Sequence, residues 1–489
     1  MMVACVGGSG GGQADGGTCD VGAVGCECTP GGACDDGLEC ASDLCIDPDD
    51  IGGRGGGLGG DGDDPLGGDG DRPAGGDGDG DGDGDGDGDG PPPGPDPQIE
   101  GSHIWIANTQ EGTVSKIDTR TLVEVGRYLT SPSGGGLPSR ISVSALGHAV
   151  IANRGRAAND VGTEAGVTKI YGGVTACVDS NGNGVIDTSA GKNDIMTWGT
   201  DECVAWHLPL DWVSNRAVAW APSPAPDAPL QVWTAGVPAP GNCQDNGCSF
   251  TVLRLDGATG RIDDTVSITG LSGINMFTSG GNFAGSVISN YGPYGGAADG
   301  AGNFWIFNGQ TTDLVYVDAI DPQTWRAWPV DMGNGYGMTV DGVGHIHLCG
   351  HFGVSKFDPS SQTWTTNTGG INLGYNGCAS DGGEYIWVGG GVDEGISGLH
   401  RFRASTLEYI DSFDVGAGVK GVSVDVDGYI WGTGGLGALG AGGVSGGANN
   451  AYRLDSSTGQ VDVYDGLNNP YSYGDLTGLR SQRAGYTPL

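Results

Sequence analysis

The sequence predicts an all-β fold, a seven-bladed β-propeller, with eight blades as the alternative. Three observations lead to this prediction. Glycine makes up 101 of the 489 residues without the period of collagen, and this is too much for a helical protein because glycine destabilises helices. From residue 99 onwards similar segments recur, mostly 40–45 residues apart. These segments combine Asp-Gly turns with β-branched and aromatic residues, which is typical of four-stranded sheets packed around an axis.

Each repeat is recognised by an anchor residue. The seven anchors are Trp105, Val150, Trp233, Trp305, His347, Trp387 and Trp431. Five of them have an Asp six residues earlier, as in DGAGNFW and DGVGHIH, and a second apolar segment such as VSKID or VSKFD follows each anchor. We expect the anchors to pack between neighbouring blades. Residues 471–481 look like one more innermost strand, which would complete the first blade and close the ring.

The residues before the repeats fall into three segments. Residues 1–18 form a glycine-rich tether, residues 19–45 a mini-module with six cysteines, and residues 46–98 a linker with seven consecutive Asp-Gly pairs. The propeller then occupies residues 99–489. We expect the linker to be disordered because its carboxylates repel one another and it lacks an apolar core. Calcium binding by these aspartates is the alternative, but calcium loops also need apolar anchors.

Six closely spaced cysteines without a nearby histidine favour disulfides over a zinc site, and disulfides imply an oxidising compartment. Fifteen pairings of the six are open. The chain has 13 cysteines, and the one outside two sets of six is Cys5. Cys5 follows Ala4 and precedes glycine and serine, which resembles the lipobox of bacterial lipoproteins. We therefore predict lipidation of Cys5 and a signal peptide upstream of Met1, with a free cysteine as the alternative.

The chain is strongly acidic, with 60 acidic against 21 basic side chains and a formal net charge of −39. This charge repels phosphate backbones, so no nucleic-acid partner is expected. The sequence contains no apolar run of the roughly 18 residues that a membrane-spanning helix needs. We predict an extracellular or cell-envelope protein, an outer-membrane lipoprotein held by a lipid anchor rather than by a transmembrane segment.

The repeat pattern G-x-h-W-h-x followed by V-x-[KR]-[IL]-D, where h is apolar, resembles the seven-bladed streptogramin (virginiamycin B) lyase propellers and their NHL-type relatives. Together with the Cys-rich module and the lipobox, the chain is similar to propeller lipoproteins of delta-proteobacterial cell envelopes. The resemblance covers about residues 100–485. It implies the fold, whereas the function stays open because propellers carry unrelated activities.

The resemblance implies, for an active lyase, His and Glu residues with a magnesium ion near the channel mouth. The residues that match the Glu position here are Asn108, Asn153, Gly236, Asn308, Gly350, Gly390 and Gly434. None is acidic, so a metal-held general base is hard to assemble. We therefore predict no catalytic residue. A lyase-like or hydrolytic enzyme with its site at the central channel is the alternative, with His148, Asn153 and Arg154 as its first candidates.

A calcium loop is predicted in an insertion spanning residues 177–203. Its proposed ligands are Asp179, Asn181, Asn183, Asp187 and Asp194. The first four follow the spacing of an EF-hand-type loop, in which alternate residues supply oxygens to one ion. Ala190 stands where that motif has its bidentate Glu, and Asp194 would replace it. We expect the ion to be structural and a Cys177–Cys203 disulfide to close the insertion.

A second cluster, His345-Ile-His347-Leu-Cys349-Gly-His351, has period-two spacing, which places its odd-numbered residues on one strand face. A zinc or copper site is one interpretation. We favour core packing, because His347 takes the anchor position and Cys349 has a partner in Cys378. A third disulfide is expected between Cys243 and Cys248.

These observations favour a monomeric binding module that displays its loops to an unidentified surface polymer, glycan or protein. A purely structural envelope protein is a further alternative. Two or more carboxylates and a His converging at the channel would favour an enzyme. An uncharged channel lined by Gly and Asn would favour binding.

Overall fold

The computed structural model describes residues 39–41, 44–46 and 102–489, with gaps within the last range at 156–163, 223–229, 239–247, 272–291, 310–311, 331–334, 352, 368–370, 392–394 and 436–448. The chain divides into two compact units, residues 1–90 and 91–489. In the first unit, Glu39–Ala41 (β1) and Leu44–Ile46 (β2) form an antiparallel pair.

The second unit contains seven antiparallel sheets, which we number as blades 1 to 7 in chain order. Blade 1 has three strands, His103–Asn108 (β3), Thr113–Asp118 (β4) and Glu124–Leu129 (β5). The four strands of blade 2 are Pro138–Val143 (β6), Ala149–Asn153 (β7), Gly166–Ile170 (β8) and Val204–Pro209 (β9). The insertion that carries the predicted calcium loop lies between β8 and β9 and includes a short 3-10 helix, Val174–Ala176.

Blades 3 to 7 each have four strands. The strands of blades 3 and 4 are Trp212–Ala221 (β10), Gln231–Pro238 (β11), Cys248–Asp256 (β12), Ile262–Leu271 (β13), Pro293–Ala298 (β14), Phe304–Asn308 (β15), Asp313–Val317 (β16) and Trp325–Pro329 (β17). Those of blades 5 to 7 are Gly337–Val340 (β18), Ile346–Gly350 (β19), Gly353–Asp358 (β20), Thr363–Asn367 (β21), Cys378–Ser380 (β22), Tyr385–Gly390 (β23), Gly398–Arg403 (β24), Tyr409–Phe413 (β25), Gly421–Val424 (β26), Ile430–Thr433 (β27), Ala451–Asp455 (β28) and Gln460–Tyr464 (β29).

The blades form a closed ring. The first strand of each blade contacts that of the next, in the order β6, β10, β14, β18, β22 and β26. From β26 the ring continues to a C-terminal strand, Tyr473–Asp475 (β30), which pairs with β6 in parallel. These strands surround the central channel, and β30 lies inside it, where it also contacts β10, β14, β18 and β22. The prediction of a seven-bladed propeller is confirmed.

The C-terminal segment closes the ring, as predicted, but in a different form. It lies along β3 of blade 1, with Tyr471 N–H donating to Ala107 O at 3.2 Å and Trp105 N–H donating to Leu476 O at 2.9 Å. Its strand ends at Asp475, and Leu479–Arg483 forms a helix (α1) in place of the expected strand. Gly478 makes this turn possible, because its φ of 86° favours glycine.

The anchors are buried on the second strand of each four-stranded blade and on β3 of blade 1. The Asp six residues earlier has a physical role: Trp305 Nε1–H donates to Asp299 at 2.9 Å and Trp431 Nε1–H donates to Asp425 at 2.8 Å. The indole of Trp233 donates instead to Gly302 O in blade 4, at 2.9 Å, which ties two blades together. A buried indole N–H needs such an acceptor.

Strand direction distinguishes the two ends of the channel. The connections between blades and the turns between second and third strands emerge at one end, which we call the mouth end. Turns between first and second strands emerge at the other, which we call the tail end because the C-terminal residues cross it. There Gly300 N–H donates to Gly485 O and Gly485 N–H donates to Asp341 O, both at 2.9 Å. In the described part of the chain, no helix has the length and apolar character to cross a membrane.

Candidate functional site

Four tyrosine side chains, which we call the tyrosine cluster, meet inside the mouth end of the channel. Tyr294 lies on β14, Tyr336 precedes β18, Tyr471 precedes β30 and Tyr473 begins it. Their hydroxyl oxygens lie 2.7 Å apart in the pairs Tyr294–Tyr336 and Tyr294–Tyr471, and 2.5 Å apart in Tyr336–Tyr471 and Tyr336–Tyr473. The cluster is buried. Ring closure assembles it, because two members come from the C-terminal segment.

Four positively charged side chains surround this cluster, and we call them the mouth cations. They are Arg140 on β6, Arg154 after β7, Arg216 on β10 and Lys420 before β26. The Arg140 guanidinium lies 3.7 Å from the ring centre of Tyr473 and 4.7 Å from that of Tyr294. The other three lie 4.5–5.1 Å from a ring centre of the cluster. These are cation–π distances, which stabilise a charge partly removed from water.

The mouth cations set the ionisation of the tyrosines. Burial alone raises the pKa of Tyr471, but the four positive charges outweigh it and lower that pKa to about 7. Burial raises the pKa of Tyr294, Tyr336 and Tyr473 well above the ordinary value of 10. One phenol in the cluster is therefore favoured to carry the negative charge, and it is Tyr471.

The rim of the mouth is aromatic as well. Tyr375, which is half-buried, lies 5.9 Å from Tyr336 between ring centres. His351, also half-buried, lies 5.3 Å from Tyr375. The mouth therefore presents aromatic faces and cations. The sequence suggested two possible linings for the channel, either carboxylates with a His or uncharged Gly and Asn. The observed mouth matches neither of them.

Of the three residues first considered for an enzyme, Arg154 alone packs against the tyrosine cluster. His148 lies beside the tail-end turn of blade 2, where it accepts a hydrogen bond from Gly172 N–H at 2.9 Å. Burial and two nearby lysines lower the pKa of His148 to about 4. Asn153 is a structural residue whose amide donates to Thr130 O at 2.6 Å. Within the described ranges, no group of three or more His, Cys, Asp or Glu is placed to hold a metal.

The loop at residues 179–187 folds around its own polar side chains. Asp179 accepts hydrogen bonds from Gly182 N–H at 2.6 Å and Gly184 N–H at 2.8 Å. The side-chain amides of Asn181 and Asn183 both reach the same oxygen of Asp187 at 2.8 Å. The structure thus brings together four of the five predicted ligands, through hydrogen bonds within the loop.

The fifth predicted ligand, Asp194, lies elsewhere. It forms a bridge with Gly191 and lines an open groove with Glu124 and Tyr464. Glu202, which the sequence analysis did not single out, supports the loop: its carboxylate accepts hydrogen bonds from the backbone amides of Ser180, Asn181 and Asp187 at 2.7–3.1 Å. These hydrogen bonds lower the pKa of Glu202.

The histidine-rich strand of blade 5 packs as core. His347 is fully buried and contacts Asp341 at 2.9 Å, which is the contact that the anchor Trp makes in blades 4 and 7. Burial lowers the pKa of His347, and the histidine in turn holds the pKa of Asp341 below its usual range. Cys349 forms a disulfide with Cys378 on the first strand of blade 6. An oxidised cysteine is no metal ligand, so this geometry favours packing.

The second disulfide, Cys177–Cys203, closes the insertion of blade 2. Both pairs are those expected from the sequence. Cys5, Cys243 and the side chain of Cys248 lie outside what the structure describes.

No protein-family model matches this chain, and no curated protein is significantly similar to it. Similar solved structures include a streptogramin B lyase (TM-score 0.42, 11% identity, covering 68% of this chain and 86% of that one). Another is a functionally unknown protein from Desulfotomaculum acetoxidans (TM-score 0.47, 12% identity, 75% and 96% covered). Virginiamycin B lyase from Staphylococcus aureus is a third (TM-score 0.38, 14% identity, 69% and 86% covered). These similarities concern the fold alone, which the seven sheets of this chain establish on their own.

Proposed function

We propose that this chain is an exported, lipid-anchored cell-envelope protein whose propeller is a binding module, stabilised by disulfides and calcium. The main support for this proposal is the composition of the mouth. Aromatic faces and cations from six or more strands and loops converge there, at one end of the ring. Aromatic side chains and arginine are enriched at binding surfaces, since they offer large contact area at low entropic cost. The ligand is a surface polymer, glycan or protein that seats on this mouth, and the propeller binds it as a monomer.

Export is supported by the cysteines. Two disulfides lie within the propeller, and structural disulfides persist in oxidising compartments. The lipid anchor is supported by the residues around Cys5 alone. Mass spectrometry of the mature N-terminal peptide tests it: an acylated Cys5 is expected, and a processed but unacylated cysteine would contradict it. A Cys5→Ser variant is the matched control, since it should lose membrane association.

Binding at the mouth is tested by retention of cell-envelope polysaccharides and proteins on the immobilised full chain. A Tyr375→Ala variant removes one half-buried rim ring, and an Ile320→Ala variant removes a side chain that is 83% exposed on the outside of blade 4. We expect the wild type and Ile320→Ala to retain the same ligand and Tyr375→Ala to lose it. Equal retention by all three would place binding elsewhere. Chemical conversion of the retained material would support the alternative, a lyase-like or hydrolytic enzyme.

Calcium at residues 179–187 is supported by the spacing of carboxylate and amide side chains in this loop and by its closure, in which the amides of Asn181 and Asn183 meet on one oxygen of Asp187. A hard cation prefers such oxygen ligands, and rotation of the asparagine amides would replace their N–H groups by oxygens. Asp194 is too differently placed to join without a rearrangement of its turn. With two carboxylates, the site resembles the weaker calcium sites of extracellular modules, whose dissociation constants are about 10⁻⁴–10⁻³ M.

The calcium proposal is tested by thermal unfolding of the full chain with calcium and with a chelator. A concentration of 100 times the dissociation constant should stabilise the fold by about 2.7 kcal/mol. Asp179→Asn should abolish this gain. Asp455→Asn is the matched control, because Asp455 also caps a turn through its own side chain but lies in blade 7. An identical melting temperature in calcium and in chelator would contradict calcium binding by this loop.

A further inference from the structure

Arg140 is buried in the mouth with only part of its guanidinium hydrogen-bonded. Its side chain comes from β6 and the whole residue is 4% exposed. Its Nε–H donates to Tyr294 O at 2.9 Å. Its Nη1 and Nη2 atoms are buried and, in the described structure, neither has a hydrogen-bond partner. A buried charged group without partners is costly, so these two atoms need an explanation.

The neighbouring rings do not provide it. Tyr473 and Tyr294 face the guanidinium at 3.7 and 4.7 Å and attract its positive charge. A ring face, however, offers no lone pair in the plane of the terminal N–H groups. Those N–H groups form a fork, and the geometry of that fork matches two oxygens of one carboxylate or phosphate.

The surroundings favour a negative charge at this point. Arg154, Arg216 and Lys420 lie around the same tyrosine cluster as Arg140. Together with Arg140 they lower the pKa of Tyr471, so a negative charge is favoured there. The chain as a whole has a net charge of −39 and repels anions, so this local positive field is an exception that the fold builds by bringing distant residues together.

We propose that the mouth of the channel binds a small oxyanion, a carboxylate or a phosphate-type ion, on Nη1 and Nη2 of Arg140. The inference rests on the proposed function, since it specifies the ligand chemistry of the same mouth. The other mouth cations add attraction without touching the ion. The ion is small because the fork is buried. It competes with ionised Tyr471 for the same field.

The experiment is titration of the full chain with sodium phosphate and, separately, sodium acetate at constant ionic strength, followed by calorimetry and by thermal unfolding. We expect saturable binding by the wild type. Arg140→Gln should weaken it about tenfold or more, because hydrogen bonds to charged groups contribute about 1.5–3 kcal/mol. Arg120→Gln, at an exposed Arg on the outside of the ring, is the matched control and should bind as the wild type does.

Tyr471→Phe provides a second measurement that does not depend on the folding of the Arg140 variant. It removes the internal competitor and keeps the fork, so it should bind the ion at least as tightly as the wild type. In the wild type, the bound ion should also move the tyrosinate absorbance transition of Tyr471 to higher pH. Comparison of phosphate binding with acetate binding shows which of the two ion classes the site prefers. Absence of saturable binding of both ions, or equal binding by Arg140→Gln, would overturn the inference.

The two proposals fail separately. If an envelope ligand is retained but no ion binds, the binding-module proposal stands and the oxyanion proposal fails. If the ion binds but no envelope ligand is retained, the oxyanion proposal stands and the binding-module proposal fails.

Discussion

The two ends of the channel are built from the same strands and differ in chemistry. At the tail end, aspartates at repeated positions accept hydrogen bonds from their own turns and from the anchor side chains, as Asp299 and Asp425 do. At the mouth end, one repeated position near the start of the first strand holds cations or phenols that vary from blade to blade, namely Arg216, Tyr294, Tyr336 and Lys420. Positions that keep the same residue type stabilise the blades, and positions whose residue type varies contribute to the candidate site. Substitutions at the two ends should therefore affect different properties.

The largest effect is expected from an anchor. Trp305→Ala removes a side chain that is 1% exposed and packs against Phe357 of the next blade, with ring centres 5.9 Å apart. Such a substitution should lower the free energy of unfolding by about 3–5 kcal/mol, measured by denaturant unfolding. Ile320→Ala on the exposed surface should change it by less than about 0.5 kcal/mol. Similar losses for both would mean that anchors do not support the blades.

Removal of the inter-blade disulfide should come next. The double variant Cys349→Ser with Cys378→Ser opens a loop of 29 residues between blades 5 and 6. A loss of about 2–4 kcal/mol is expected, because the unfolded chain gains freedom. The wild type measured in reductant should lose at least as much, because the Cys177–Cys203 disulfide opens as well. If the double variant unfolds at the wild-type midpoint, packing alone holds these blades together.

A smaller, pH-dependent effect is expected at the tail end. His347 and backbone amides hold the pKa of Asp341 below its ordinary 3.8, so its carboxylate contributes stability above that value and loses the contribution as the pH falls below it. Asp341→Asn should therefore cost about 1–3 kcal/mol at neutral pH and less in acid. His345→Gln, which changes a partly exposed neighbour, should cost less. If the free energies of unfolding of the wild type and Asp341→Asn differed by the same amount at neutral and acidic pH, the pH dependence would not belong to Asp341.

At neutral pH, the smallest effect on stability and the clearest spectroscopic one are expected at the mouth. Because the pKa of Tyr471 is lowered to about 7, the wild type should show a tyrosinate absorbance transition there that Tyr471→Phe lacks. A lowered phenol pKa adds stability as the pH rises from about 7 towards the unfolded value of 10, and this gain disappears as the pH falls through 7. Tyr294→Phe is the control and should keep the transition. A transition retained in Tyr471→Phe would assign it to another group.

The sequence determined the features that depend on local pattern. Strand alternation and the Asp-to-anchor spacing give the seven sheets, because each blade is built from contiguous residues. The anchor role of His347 and the Cys349–Cys378 pair follow from aligning one repeat with its neighbours. The geometry of residues 179–187 also follows from its spacing, since the loop closes on its own side chains.

Tertiary structure decided the mouth. Arg140, Tyr294 and Tyr471 lie in different blades or segments, and Tyr471 is 331 residues from Arg140 along the chain. The residue types at these positions vary from blade to blade, so the sequence pattern pointed to Arg154 alone among the mouth cations and gave no signal for the tyrosines. They meet because the ring brings the starts of its innermost strands to one point and the C-terminal segment fills the last place. Spacing in the sequence shows which residues lie on the same strand. Only closure of the ring determines which strands meet at its centre.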